Sequence, residues 1–278
     1  MNKKLLIACL CCMCLVLSAC GQRNENKPQT GTEENVEINE KFVEEIKKKG
    51  HLTVGCKMDV PDLGFYDTAA KTWSGLEVEL AYKTAANLFG VSVEEAKKKK
   101  LVEFIGVTVA DREEKLESGE VDCLFATYTI TEERQKRFAF SYSYYTDYIG
   151  LMVNTSGENP NSVGNSEIRS LADLDGKYIG VPRNATTRET FLKYIETMNA
   201  LKVSPIFCEY GSYEALFKAL KDGNIDVMSV DVSILNGYVD STTVILGDRF
   251  GGQNYGAAVK KENVRLLDAI NAAVNKGV

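Results

Sequence analysis

Residues 127–134 read TYTITEER and directly follow VDCLFA, an apolar run with the composition of a buried strand. Threonine hydroxyls, the backbone N–H groups of a helix start and a planar guanidinium are together the donors that hold a carboxylate. Thr131 followed by Glu132 and Glu133 reads as a helix N-cap with acids in the first turn. That accounts for Thr131 and leaves Thr127, Thr129 and Arg134 without a local purpose. At the carboxyl edge of a parallel sheet, the face carrying Thr127 and Thr129 lines a ligand crevice, and Arg134 is the fork that would take both oxygens. An ionised carboxylate taken out of water costs on the order of several kcal/mol unless it is paired this fully, so the residues are expected to act as a set.

Other chemistries are narrowed by what the chain lacks. His51 is the only histidine of 278 residues, which leaves little room for Ser-His-Asp, Cys-His or His-rich metal sites. Of eight cysteines, Cys9, Cys11, Cys12 and Cys14 fall in an N-terminal apolar stretch and Cys20 ends it. Cys56, Cys123 and Cys208 each sit singly inside apolar runs, without CxxC spacing, and read as small hydrophobes rather than metal or redox groups. Neither a metal nor a cofactor is implied. The formal charge of −6, with no basic face interleaved with aromatics, argues against nucleic acid as a partner. The one basic run, Lys97 to Lys100, reads as a solvated turn.

Four segments of the chain must position the set. Lys3 and Lys4 precede an apolar stretch from Leu5 to Leu17 that meets LSAC at Cys20, and the stretch is shorter than the roughly 20 residues of a membrane span. Residues 1–19 are therefore expected to be a lipoprotein signal peptide, and removing them leaves 31 basic against 39 acidic residues, or −8. Residues 20–45 are polar at first, without an apolar period, and are expected to be a flexible tether. Beyond it LTVGC, GLEVELAYKTAANLFG and LVEFIGV set a βαβ rhythm that recurs through KYIGVP, TRETFLKYIETMNAL and SPIFCEY, which predicts an α/β fold with mainly parallel sheets. LESGEVDCL at 116–124 and LKDGNIDVM at 220–228 share L-x-x-G-x-[V/I]-D, as a duplicated helix–glycine–strand unit in two similar lobes would. Between and after them SYSYYTDYIGLMV, 141–153, and ILGDRFGGQNYGAAV, 245–259, read as strands crossing between lobes. Lobe I is assigned 46–144 and 250–278, and lobe II 145–249.

In this order GCKMDVPDLGFYD, WSGLEVELA, LESGEVD, TYTITEER, FSYSYY, LADLDGKYIGV and NYGAAVKK resemble the motifs of the family 3 extracellular solute-binding proteins of amino-acid ABC importers, nearest to the aspartate/glutamate-binding members. The match runs from about Lys47 to Val278, with Ser143 and Glu79 where that family usually has proline and aspartate. The resemblance implies a two-lobed periplasmic-binding-protein (type II) fold with two crossover hinge strands, closing on one free amino acid. LSAC likewise resembles a lipobox, and implies cleavage before a lipidated Cys20. Acyl chains there, at about 0.8 kcal/mol per buried methylene, would hold the protein on the bilayer.

Carried over by motif, Thr127, Thr129 and Arg134 would hold the α-carboxylate. Thr186 and Thr187 in RNATTRET open a helix and would face the same anion or simply cap that helix, and Asp231 in MSVDVS would bind the α-ammonium or open the next helix as an ordinary first-turn acid. Arg112 and Lys57 are either solvated charges or, converging on one pocket, the pair that neutralises a second carboxylate, with Tyr255 adding a hydroxyl and Leu63 an apolar wall. The expectation is a monomeric, non-enzymatic, extracytoplasmic lipoprotein that binds glutamate or aspartate and presents it to an ABC permease. Rival readings are the same fold with a neutral polar or sulfur-containing amino acid, a dehydratase-like enzyme using Glu209 or Asp226, and a sensory or adhesive surface module.

Overall fold

The computed structural model describes residues 33–155, 168–198 and 201–275, with side chains from Glu40 onward. Cys20 and the expected signal peptide lie outside the described residues. The first element is α1 (Glu33–Lys49), so the expectation of an unstructured tether over 20–45 is corrected from Glu33 onward. Phe42 and Ile46, one helical turn apart, pack on the first core, and the Glu and Lys residues around them are good helix formers. Among the described residues no helix is long and apolar enough to cross a membrane.

β1 (Leu52–Lys57) is buried along its whole length, as a strand covered on both faces must be. β2 (Asp59–Val60), β3 (Gly64–Asp67) and β4 (Thr72–Ser74) make a small antiparallel sheet beside it. Then come α2 (Leu76–Phe89), α3 (Val93–Lys98), β5 (Val102–Val107), α4 (Arg112–Ser118), β6 (Cys123–Phe125), α5 (Glu132–Arg137) and β7 (Phe138–Phe140). β8 (Tyr145–Asn154) crosses to a second lobe of β9 (Tyr178–Pro182), α6 (Thr187–Thr197), β10 (Ile206–Tyr210), α7 (Tyr213–Lys221), β11 (Val227–Asp231), α8 (Val232–Tyr238) and β12 (Thr243–Ile245). β13 (Phe250–Tyr255) returns, and β14 (Ala258–Lys260) and α9 (Leu266–Asn275) close the first lobe.

The two sheets have matching plans. The first runs β5-β1-β6-β14-β7, the second β10-β9-β11-β8-β12, with β13 added on β8. In each, three parallel strands lie at one side and antiparallel strands at the other, so the sheets are mixed rather than mainly parallel. The crossover strands β8 and β13 pair with each other from Tyr145↔Tyr255 to Ile149↔Phe250. The end of β13 already bonds to the first lobe, where the Asn254 carbonyl accepts from the Ile130 N–H at 2.8 Å and Tyr255 bridges to Thr129.

The repeated motif occupies equivalent places. In one lobe α4 ends at Gly119, φ 82°, and in the other α7 is followed by Gly223, φ 75°, each turning the chain into a buried strand. The repeated aspartate does the same work twice: Asp122 Oδ2 accepts from the Thr53 N–H at 2.8 Å and Asp226 Oδ2 from the Tyr178 N–H at 2.7 Å. Each pins its strand to the start of the neighbouring parallel one. Three apolar clusters belong to one lobe each, and a fourth bridges the lobes, bringing Val60 and Leu63 against Tyr213, Leu216 and Ile234.

The entry into α2 depends on Gly75, which sits at φ 112° and where a Cβ would lie 2.1 Å from the Leu63 carbonyl oxygen. Gly75→Ala is expected to destabilise the protein by roughly 2 kcal/mol or more, through both strain and overlap. A fall in the midpoint of urea unfolding with an unchanged slope would show it, and an unchanged midpoint would contradict it.

Candidate functional site

A small, largely enclosed cavity lies where the lobes meet. Arg112, Thr127, Thr129 and Arg134 line it from the first lobe, and Thr186, Thr187, Tyr213 and Asp231 from the second. Seven of the nine ligand-binding residues named from sequence thus share one wall or the other, and Lys57 and Tyr255 do not.

The first-lobe wall is built on an unusual turn. Thr127 follows β6 in the left-handed region, φ 45°, a conformation costly for a β-branched residue. Its N–H donates to Glu77 Oε1 at 2.6 Å, and its carbonyl, with that of Ala126, accepts from Arg112 Nη1 at 3.2 and 2.7 Å. Glu77 is fully buried and also accepts from the Tyr144 hydroxyl at 2.5 Å, tying this turn to the start of the crossover. Burial pushes the Glu77 carboxyl pKa up. Sequence reading passed over Glu77 because, within GLEVELA, it is indistinguishable from a solvated first-turn acid.

Arg134, one turn into α5, donates from Nη1 to the Thr129 carbonyl at 2.9 Å and from Nη2 to the second-lobe Asn184 carbonyl at 3.1 Å. Both guanidinium groups lie over the Tyr128 ring, Arg112 at 4.6 Å and Arg134 at 4.2 Å from its centroid. Burial, and then the Arg112 charge, push the Arg134 pKa down to about 10, so it remains a cation at neutral pH. Arg112 Nε is buried without a hydrogen-bond partner. Such a donor is costly unless something accepts from it.

The second-lobe wall meets the hinge through Gln253 on β13. Its Nε2 donates to the Gly251 carbonyl at 2.9 Å, which fixes the amide so that Oε1 accepts from Thr129 at 2.8 Å and from Thr186 at 2.7 Å. Thr186 makes no side-chain cap for α6, so the plain N-cap reading does not apply to it. With their protons committed to Gln253, the two hydroxyls offer lone pairs rather than donors to the cavity. Thr187 is buried in the first turn of α6, beside that helix's N–H groups.

Asp231 ends β11 and makes no cap for α8. The Tyr255 hydroxyl donates to its Oδ2 at 2.5 Å and lies 3.2 Å from Asp147 Oδ2. Tyr255 therefore positions Asp231 instead of reaching the cavity, which corrects the hydroxyl role expected for it. Burial raises the Asp231 pKa to about 7, with Asp147 adding to the rise and Tyr255, Arg112 and Arg134 opposing it.

Lys57 is likewise displaced from its expected role. Its Nζ pairs with Asp59 Oδ1 at 3.0 Å and lies 4.5 Å from the Tyr213 ring centroid, because Asp59, two residues on, supplies a nearer carboxylate than the cavity does. Leu63 faces the bridging apolar cluster and a neighbouring groove rather than the cavity. Glu209 and Asp226 do not line the cavity. Among the described residues no group of His, Cys, Asp and Glu could hold a metal. Cys56 and Cys123 are buried and Cys208 half-buried, all three as free thiols raised in pKa by burial.

If this geometry governs Asp231, its carboxyl should titrate near pH 7 by ¹³C NMR. Tyr255→Phe removes the donor and should move the midpoint higher. An ordinary carboxylate value in either protein would contradict it.

Residues 52–277 match the pattern of the bacterial extracellular solute-binding proteins, family 3. The chain is 27% identical over 265 residues to the ABC transporter glutamine-binding protein GlnH of Bacillus subtilis (strain 168), covering 94% of this chain and 87% of that one. It is 27% identical over 237 residues to the glutamate-binding protein GluB of Corynebacterium efficiens, covering 82% and 74%. A solved structure of an ancestral arginine-binding protein bound to glutamine superposes with a TM-score of 0.66 at 30% identity, over 82% of this chain and 91% of that one.

Proposed function

Because this chain belongs to family 3 of the bacterial extracellular solute-binding proteins, we propose that its interlobe cavity takes one free amino acid, glutamate or aspartate by preference, and presents it to the permease of an ABC importer. The observation that carries this reading is the placement of Arg134 and Asp231 in one cavity, on opposite lobes. A zwitterion has one group for each. Its carboxylate suits the Arg134 fork and the α6 N–H groups near Thr187, and its ammonium suits Asp231 and the lone pairs of Thr129 and Thr186. Contacts with both lobes make the ligand favour the closed arrangement.

Arg112 supports the acidic preference. Once Arg134 and Asp231 are matched by the zwitterion, its charge and its unpartnered Nε remain for a second carboxylate. The withdrawal of Lys57 leaves one such cation rather than two, which favours an amide side chain as the second reading. The relatives are named for binding glutamine and glutamate, and this supports a transport role over the enzymatic one. Anchoring of a monomer through lipidated Cys20 on the outer face of the membrane belongs to the same reading.

A thermal-shift screen of the amino acids tests the ligand class, since binding raises apparent stability with concentration. Glutamate and aspartate should give the largest shifts, and a larger shift with glutamine or cystine would overturn the acidic preference. Arg112→Gln should lower glutamate affinity by about tenfold or more while sparing glutamine, measured by calorimetry. Arg134→Ala should abolish binding of every amino acid, and retained affinity would refute its role.

Binding should also depend on pH with a defined sign. The ligand ammonium favours ionised Asp231, whose pKa in the unliganded site is about 7. Affinity should then be full above that value, fall as pH drops through it, and be accompanied by proton release near neutrality. Calorimetry in buffers of different ionisation enthalpy would show the release, and its absence would count against Asp231 as the ammonium partner.

A further inference from the structure

Beside the cavity, an ion pair on the first lobe meets two phenols of the second, of which Tyr213 also lines the cavity and Tyr238 does not. We propose that Lys57, Asp59 and Tyr238 form a latch between the lobes, which holds the cleft closed and sets affinity without selecting the ligand. The affinity consequence rests on the amino-acid-binding reading above, whereas the contact between the lobes does not.

Lys57 and Asp59 stand on the first lobe, at the end of β1 and in β2. Opposite them are the first residue of α7, Tyr213, and the last of α8, Tyr238. Lys57 Nζ is 3.0 Å from Asp59 Oδ1 and 4.5 Å from the Tyr213 ring centroid. The Tyr238 hydroxyl donates to the other oxygen of the same carboxylate, Oδ2, at 3.2 Å. The two phenol rings meet edge to face at 6.5 Å. An ion pair from one lobe is thus closed over by two phenols from the other, one taking the cation on its ring and one binding the anion.

The backbones are in contact at the same place. A Cβ at Gly237 would lie 2.6 Å from Pro61 Cδ, so the end of α8 and the turn after β2 touch with no room for a methyl group. Lys57 is buried to 1% exposure, yet it is absent from the cavity lining. Its ammonium can be covered at low cost because Asp59 travels with it: separating the lobes would expose the pair together and leave it intact. Opening would instead forfeit the Tyr238 hydrogen bond and the Tyr213 ring contact. Tyr213 also lines the cavity, whereas the Tyr238 bond lies outside its lining and is the same whatever occupies it. Its loss lowers the closed fraction, and apparent affinity falls in proportion for every ligand.

Two variants act on the latch from different sides. Tyr238→Phe removes the hydrogen bond and keeps the ring. Gly237→Ala keeps every polar contact and improves helix propensity, but inserts a methyl group against Pro61 that only closure brings into conflict. Calorimetry with L-glutamate and L-glutamine should show both ligands weakened by one common factor, about three- to tenfold for Tyr238→Phe and at least as much for Gly237→Ala. Unchanged affinities in both variants would overturn the latch. So would a changed ratio between the two ligands, which would make the cluster part of ligand selection. Should the unaltered protein bind no amino acid, the functional reading fails and small-angle scattering still decides: a larger radius of gyration in the variants supports the latch, and an identical one refutes it.

Discussion

Holding two guanidinium groups over one phenol ring, out of water, is the constraint from which the rest of the site follows. The Arg112 charge opposes that of Arg134, and burial penalises the Arg134 cation further. Carbonyl oxygens of Ala126, Thr127, Thr129 and Asn184 satisfy much of their N–H capacity, and Glu113 approaches Arg134 at 3.6 Å. Carbonyl dipoles satisfy hydrogen bonds without cancelling charge. Asp231 faces the two arginines from the opposite wall, so the cavity presents both signs of charge on groups already held in place.

That arrangement is held by backbone that few sequences would adopt unaided. Thr127 at φ 45° and Asn184 at φ 61° are left-handed residues on opposite lobes, and each presents a carbonyl to one of the two arginines. Glu77 holds the first from below. Asn184 also reaches back to the Ala110 carbonyl from its side-chain amide at 3.3 Å, so the second strained turn is tied to the first lobe as well. Strain at Thr127 is offset by contacts within the first lobe, and strain at Asn184 by contacts that exist only when the lobes are together.

Much of this was legible in the sequence, for identifiable reasons. The α/β alternation, the paired L-x-x-G-x-[V/I]-D units and the TYTITEER turn depend on local rules of periodicity, glycine conformation and strand-end chemistry, and each lies where those rules put it. Residues whose roles depend on distant partners were not legible. Lys57 and Arg112 are both cations near strand or helix ends, and only the fold shows that one finds Asp59 while the other faces the cavity. Gln253 and Glu77 carry no local mark, because their partners are 124 and 50 residues away. The helix over Glu33–Lys49 was missed because charged residues dominate its sequence, and Phe42 and Ile46, which pack on the core, do not by themselves show a period.

The repeated aspartates have a mechanical consequence. Asp122 and Asp226 each clamp a strand start inside their own lobe, on hydrogen bonds that do not cross the hinge. Each lobe therefore carries its own brace between neighbouring parallel strands, and neither brace draws on the two strands that join the halves.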